Sequence, residues 1–187
     1  MLGVSDADSA GWTTHAVRVL HDDVVTIEEH DVETPEGRRY VFPIVRSPGF
    51  AKVVPILPNG DVVLVRQFRY AVGMETLELP AGAIDAGEDP IESARRELAE
   101  EALLQASRLE PLGEFRTSPG RMDERGFLYL ARDCQPDPTA RQHEPTEPVA
   151  MPLSRAIALI GTEILAASSS LALLLAERRL AETDMDR

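Results

Sequence analysis

The stretch GAIDAGEDPIESARRELAEEALL, residues 82–104, decides how the rest of this chain is read. Its middle opens like a helix. Asp89 offers a side-chain acceptor at the cap, Pro90 takes the first helical position, where its missing N–H costs nothing, and Glu92 stands at the capping-box position. Ile91, Ala94, Leu98 and Ala102 then recur at helical spacing and define a buried face. On such a helix Glu97 and Glu101 lie one turn apart and about 40° apart around the axis, with Glu100 about 60° to the other side of Glu97. Three carboxylates therefore crowd one face, at a mean direction about 100° from the apolar one. Like charges so placed repel by roughly a few tenths of a kcal/mol per pair. Arg95 and Arg96 offset part of this, and the all-oxygen remainder suits a hard divalent cation, Mg²⁺ or alternatively Mn²⁺. A solvated acidic face braced by arginines is the reading that the helix alone leaves open.

Working outward, the segments before this helix have the character of strands. Val24, Val25 and Ile27 lead to a Thr34-Pro35-Glu36-Gly37 turn followed by Tyr40, Val41 and Phe42, which predicts an N-terminal hairpin. Val53, Val54, Ile56 and Leu57 lead to Asn59-Gly60 and then Val62 to Val65, which predicts a second hairpin with both strands buried. After the helix, Phe115 and the run Phe127 to Leu130 read as strands separated by a Thr117-Ser118-Pro119-Gly120 turn. Asp133 to Pro148 reads as a long loop. Helices are expected near Leu153 to Ile160 and Ser170 to Ala181, the second with Leu171, Leu173, Leu174 and Leu175 spread almost all round, as for a helix buried against the core or a second subunit.

Composition narrows the function classes. The 187 residues, 43% of them apolar, suffice for one sizeable core. A formal net charge of -13 repels phosphate backbones and anionic headgroups, so neither nucleic acid nor a membrane is the expected partner. A small anionic phosphate ester remains compatible when metal ions supply the positive charge locally. The single cysteine, Cys134, excludes an internal disulfide framework and suits a reducing, cytoplasmic setting. The apolar stretch near Leu171 to Ala176 is too short to span a bilayer.

Gly82, Glu88 and Arg96-Glu97-Leu98-Ala99-Glu100-Glu101 stand in the register of the Nudix box, and the chain resembles that family over roughly Ala51 to Leu130. One fixed position departs: Leu103 stands where the family has a glycine that ends the helix in a left-handed conformation, so the helix is expected to run a turn further or to end with different geometry. Within the family the chain is similar to the ADP-ribose pyrophosphatase branch. Arg66-Gln67-Phe68-Arg69-Tyr70 and Leu77-Glu78-Leu79-Pro80-Ala81-Gly82 resemble its approach to the box, Pro119 lies 15 positions beyond Leu104, and Ser118 to Glu124 resembles the loop that carries a functional glutamate.

The resemblance implies an α+β fold, an α/β/α sandwich with a mixed sheet, plus an N-terminal antiparallel β-hairpin region. Residues 1–50 would form a β extension giving substrate and dimer contacts, and 51–187 the hydrolase domain. It implies hydrolysis of ADP-ribose to AMP and ribose 5-phosphate. Metals would be held by Glu97, Glu101, Glu100 and the Ala81 carbonyl, with Glu88 a support or outer position. Glu124 is the implied base, Glu101 its alternative, and Arg96 the residue that orients the glutamates. Arg69, more weakly Arg46 and Arg66, and with them Glu78 and Pro119, are implied in substrate binding, with an adenine slot expected among Trp12, Tyr40 and Phe50. A homodimer is the implied assembly. A broader nucleoside diphosphate-sugar hydrolase, acting for example on GDP-mannose, and a non-catalytic nucleotide-binding module are the competing readings.

Overall fold

In a computed structural model that describes residues 10–143 and 145–185, the box segment forms helix α1, Pro90–Ala102. Asp89 caps it as expected, its side chain accepting from Ile91 N at 3.1 Å, whereas Glu92 turns outward to Arg95 at 3.4 Å. The end of the helix corrects the sequence reading. Leu103 adopts φ 57°, ψ 33°, the left-handed geometry, and its N–H reaches Ala99 O at 3.1 Å. A leucine pays about 1–2 kcal/mol for this conformation, and α1 stops where a glycine would have stopped it.

The described residues gather into two units, one running up to Pro48 with Arg116–Arg125, the other Gly49–Phe115 with Gly126–Arg187. In the first, β1 (Thr13–Asp22), β2 (Thr26–Glu33) and β3 (Arg39–Arg46) form an antiparallel sheet in that order. The expected hairpin is β2–β3, closed where Thr34 N donates to Arg38 O at 2.9 Å. β1 was not legible, because register shifts between Thr14 and Ala16 and between Val19 and His21 interrupt the alternation that marks a strand. Val45 bridges Met122 in the same unit, and the Arg121 guanidinium lies 4.2 Å from the Phe42 ring centroid.

The second unit holds β4 (Phe50–Pro55), β5 (Asp61–Arg69), β6 (Met74–Glu78), β7 (Ala81–Ala83), α1, β8 (Leu104–Gln105), β9 (Leu109–Arg116), β10 (Arg125–Ala131), β11 (Gln135–Pro136), β12 (Glu147–Pro152), α2 (Leu153–Ala158) and α3 (Ala167–Met185). A mixed sheet runs β7-β4-β10-β9, with β10 parallel to β4, beside an antiparallel sheet β12-β5-β6 and the small pair β11-β8. The Asn59-Gly60 turn forms, but it does not close an extended hairpin. After the single bridge Ile56↔Val62, β4 and β5 part into different sheets, because β7 and β10 fill the edges of β4 while β12 and β6 fill those of β5.

Strand alternation then builds two cores. Ala51, Val53, Val63, Tyr129 and Ala131 pack with Ala94, Leu98 and Ala102 of α1. Val54, Val62, Leu64, Leu128 and Leu130 pack with Ala156 of α2 and Ala172, Leu173 and Ala176 of α3. Helices on opposite faces of the strands give the α/β/α sandwich of an α+β fold. The expected long loop also changes. Gln135–Pro136 pairs with β8, and Glu147–Pro152 is an edge strand whose Pro148 and Pro152 disguised it, since proline is tolerated only at such an edge. Of the α3 leucines, Leu173 is buried while Leu171 and Leu174 are exposed. No helix among the described residues is long and apolar enough to cross a membrane.

Candidate active site

The side of α1 next to β7 holds the clustered carboxylates. Gly82 sits so close to Glu97 that a Cβ there would collide with the carboxylate, so a glycine is required by close approach rather than by backbone freedom. Glu101 Oε2 accepts from Ala81 N at 2.8 Å. Glu97 and Glu101 are both buried, unlike the carboxylates of a solvated face. Burial pushes the Glu101 carboxyl up to about 7, and the Glu97 charge adds to that rise against the lowering effect of the Ala81 N–H.

Arg96 braces the cluster. Its Nε and Nη2 bind Glu88 at 3.1 and 3.0 Å, Nη2 reaches Ala83 O at 2.9 Å, and Nη1 meets Glu97 and lies 3.6 Å from Glu100. The hydrogen bonds to Glu88 raise the guanidinium pKa, and the same contact holds the Glu88 carboxyl below its usual range. His143, which sequence reading missed, places Nδ1 3.2 Å from Glu100 Oε1. A cavity of about 340 Å³ is lined by Ala81, Arg96, the three glutamates and His143.

A second cluster lies in the same unit. Arg69 forks onto Glu78, with Nε to Oε1 at 2.8 Å and Nη2 to Oε2 at 2.9 Å, and the Thr76 hydroxyl donates to Oε1 at 2.7 Å. Lys52 lies 3.8 Å from Glu78 Oε2. Burial alone would raise the Glu78 carboxyl, but these partners overcome it and hold it at about 2. Lys52 was also missed, although it is the one lysine of the chain and stands inside the apolar run of residues 51–57. Arg66 pairs across the sheet with Leu77 and Glu147, and alternation sets it on the opposite face of β5 from Arg69.

The remaining sequence candidates, Phe50 apart, lie in the first unit. Ser47 Oγ donates to Glu124 Oε1 at 2.9 Å. Arg46 binds Glu28 at 2.9 Å and Asp123 at 3.2 Å, so its guanidinium ties the Glu124 loop to β2 and β3. Pro119 is exposed in the turn closed by Arg121 N to Ser118 O at 2.9 Å. Tyr40 is exposed, whereas Phe50, in the second unit, stands edge-on to Phe115 with centroids 5.8 Å apart.

The family model described as the NUDIX domain matches residues 48–167. The chain belongs to the Nudix family. This Nudix chain is 38% identical over 120 residues to a methanol dehydrogenase activator of Bacillus methanolicus, covering 64% of this chain and 65% of that protein. It is 34% identical over 116 residues to an ADP-ribose pyrophosphatase of Bacillus subtilis, covering 62% and 63% respectively. The match thus spans slightly less than two thirds of each relative. A crystal structure of an ADP compounds hydrolase superposes with a TM-score of 0.81 at 25% identity, covering 92% of this chain and 95% of that one.

Among the described residues of this Nudix chain, no three His, Cys, Asp or Glu side chains already surround one cation position. The donor chemistry nevertheless fits a hard divalent ion. Glu97, Glu100 and Glu101 face a cavity in which Arg96 is the only arginine or lysine among the described residues.

Proposed function

We propose that the protein is a metal-dependent pyrophosphohydrolase that splits ADP-ribose into AMP and ribose 5-phosphate. The observation that carries this reading is the buried Glu97–Glu101 pair packed on Gly82 and Ala81, an arrangement of anions that costs stability unless a cation is drawn to it. Glu97, Glu101, Glu100 and the Ala81 carbonyl would hold Mg²⁺, with Mn²⁺ as the alternative. When bound, the metal supplies positive charge to the phosphoryl oxygens and acidifies water.

The chain's own residues do the rest. Arg96 fixes the rotamers of Glu97 and Glu88 through charge-assisted hydrogen bonds. Arg69 clamps the pyrophosphate. Glu124 takes the proton of the attacking water, with Glu101 as the alternative base. Residues 1–50 contribute as a β extension to substrate and dimer contacts, 51–187 act as the hydrolase domain, and the protein works as a cytoplasmic homodimer.

The substrate assignment rests on the similarity to proteins named for ADP-ribose and ADP compounds. Purified protein is incubated with ADP-ribose, GDP-mannose, NADH and UDP-glucose, each with Mg²⁺ or EDTA, and products are separated by chromatography. AMP and ribose 5-phosphate formed only with metal are expected. Faster turnover of GDP-mannose would replace the substrate and keep the chemistry. Stoichiometric ADP-ribose binding without product would favour a non-catalytic binding module.

A further inference from the structure

Eighteen of the nineteen basic residues in the chain are arginines, and the one lysine is Lys52. It sits on β4 with its side chain 3% exposed, where an ammonium is kept only at a cost in desolvation. Its Nζ donates to Ser169 Oγ of α3 at 3.0 Å and lies 3.8 Å from Glu78 Oε2. Ser169 Oγ also accepts from Leu79 N at 3.1 Å, which fixes the strand end that carries Glu78. Glu78 therefore stands between two cations, Lys52 beneath it and the partly exposed Arg69 forked onto it.

Charge balance gives Lys52 its role. An Arg69–Glu78 fork alone carries no net charge, and a neutral pair attracts a pyrophosphate weakly. Burial lowers the Lys52 ammonium to about 8, so at pH 7 it is mostly charged, and Lys52, Arg69 and Glu78 together then carry close to one net positive charge, with Glu101 the further anion that both cations feel. A compact ammonium with three donors suits the buried end, while the planar guanidinium suits the fork at the open end. We propose that Lys52 is a positioning residue of the pyrophosphate subsite, balancing Glu78 from the buried side so that the Arg69 fork is held in place and the Lys52–Glu78–Arg69 group as a whole attracts a nucleoside diphosphate. The inference rests on the hydrolase reading above.

The test compares wild type, Lys52→Gln, Ser169→Ala and the double variant Lys52→Gln/Glu78→Gln, all with Mg²⁺. KM and kcat are measured on ADP-ribose, and the affinity of its cleavage-resistant α,β-methylene analogue is measured by calorimetry. Lys52→Gln raises KM about tenfold with kcat within about twofold, and weakens analogue binding by the same factor. Ser169→Ala removes the hydrogen bonds to Lys52 and Leu79 but no charge, so it lowers the melting temperature and raises KM by a smaller factor than Lys52→Gln. The double variant removes one charge of each sign and recovers most of the lost affinity, which a merely structural lysine would not do.

An unmoved KM in Lys52→Gln, an equal rise in Ser169→Ala, or a double variant no better than Lys52→Gln overturns the proposal. Should Lys52→Gln fail to fold, the folded double variant is compared with Glu78→Gln alone, and equal analogue affinities overturn it as well. Wild-type protein that neither binds the analogue nor turns over a nucleoside diphosphate overturns the hydrolase reading itself. Wild-type activity with an unmoved Lys52→Gln overturns this inference alone.

Discussion

Glu78 and Glu101 are equally buried, each 6% exposed, yet their carboxyls move in opposite directions. Burial raises both, but Glu78 has the Arg69 fork, the Thr76 hydroxyl and Lys52 against it and comes to about 2, whereas Glu101 has the Ala81 N–H and only weaker pulls from Lys52 and Arg69, is opposed by Glu97, and comes to about 7. The difference lies in company rather than depth. The β5–β6 cluster already contains the cations that offset Glu78, and the same two cations also act on Glu101. The α1 cluster holds more anion than its arginine balances, as a site must if a metal is to complete it.

The largest expected effect comes from the α1 side. Glu101→Gln lowers turnover at least about 10³-fold, because the substituted amide binds a divalent ion poorly. In metal-free buffer the same variant is more stable than wild type at pH 8. The wild-type Glu101 carboxyl is raised from 4.5 to about 7 in the folded state, so its contribution is fully present below pH 4.5 and is lost as pH rises through 7. Denaturant titrations from pH 4 to 8 should show this loss, on the order of 3 kcal/mol, in wild type and not in the variant. Full activity in Glu101→Gln would remove it from the ligand set.

A third kind of carboxylate tests whether the base lies outside both clusters. Glu124 belongs to the other unit and is held only part-buried by the Ser47 hydroxyl. Glu124→Gln lowers kcat by about 10²–10⁴-fold with Mg²⁺ affinity by calorimetry nearly unchanged. Wild-type turnover in that variant would return the role to Glu101.

Glu78 gives the mirror image of the Glu101 titration. Its folded value lies below 4.5, so its contribution is present above pH 4.5 and disappears as pH falls toward 2. Wild type should lose on the order of 3 kcal/mol over that interval from this residue, and Glu78→Gln should lack that part of the acid slope. An identical acid slope in both proteins would mean that Arg69 and Lys52 do not hold Glu78 as described.

The two clusters also differ in how far they could be read from the chain. Arg96, Glu97, Glu100 and Glu101 lie within one helix, and Asp89 and Pro90 announce where it begins, so helical geometry alone predicts that the carboxylates share a face. Their burial against Gly82 needed the fold, because Gly82 of β7 lies 97 minus 82, or 15, positions before the Glu97 it packs on. The Lys52 cluster draws on β4, β5, β6 and α3, and its lysine and serine are 117 positions apart. No local period encodes such a meeting. The same limit explains the second hairpin: the Asn59-Gly60 turn was legible, but the strands that fill the edges of β4 and β5 come from distant segments. β1 and β12 were hidden by bulges and by prolines, features that mark an edge only once the neighbouring strands are known.

Leu103 separates the α1 cluster from the backbone that ends its helix, and it gives the smallest expected effect. The residue holds φ 57° although its side chain is 37% exposed, so the leucine recovers little by burial for a conformation that a glycine enters freely. Its backbone is fastened on both sides, N–H to Ala99 O at 3.1 Å and carbonyl from Asp137 N at 2.9 Å, and neither bond needs a side chain. Leu103→Gly should therefore stabilise the protein by about 0.5–1 kcal/mol in denaturant unfolding, the relief of left-handed strain exceeding the added entropy of the unfolded chain. Activity should stay within about twofold of wild type, because Glu101 lies before the cap and keeps its bond to Ala81. A loss of stability would show instead that the half-exposed leucine makes contacts worth more than its strain.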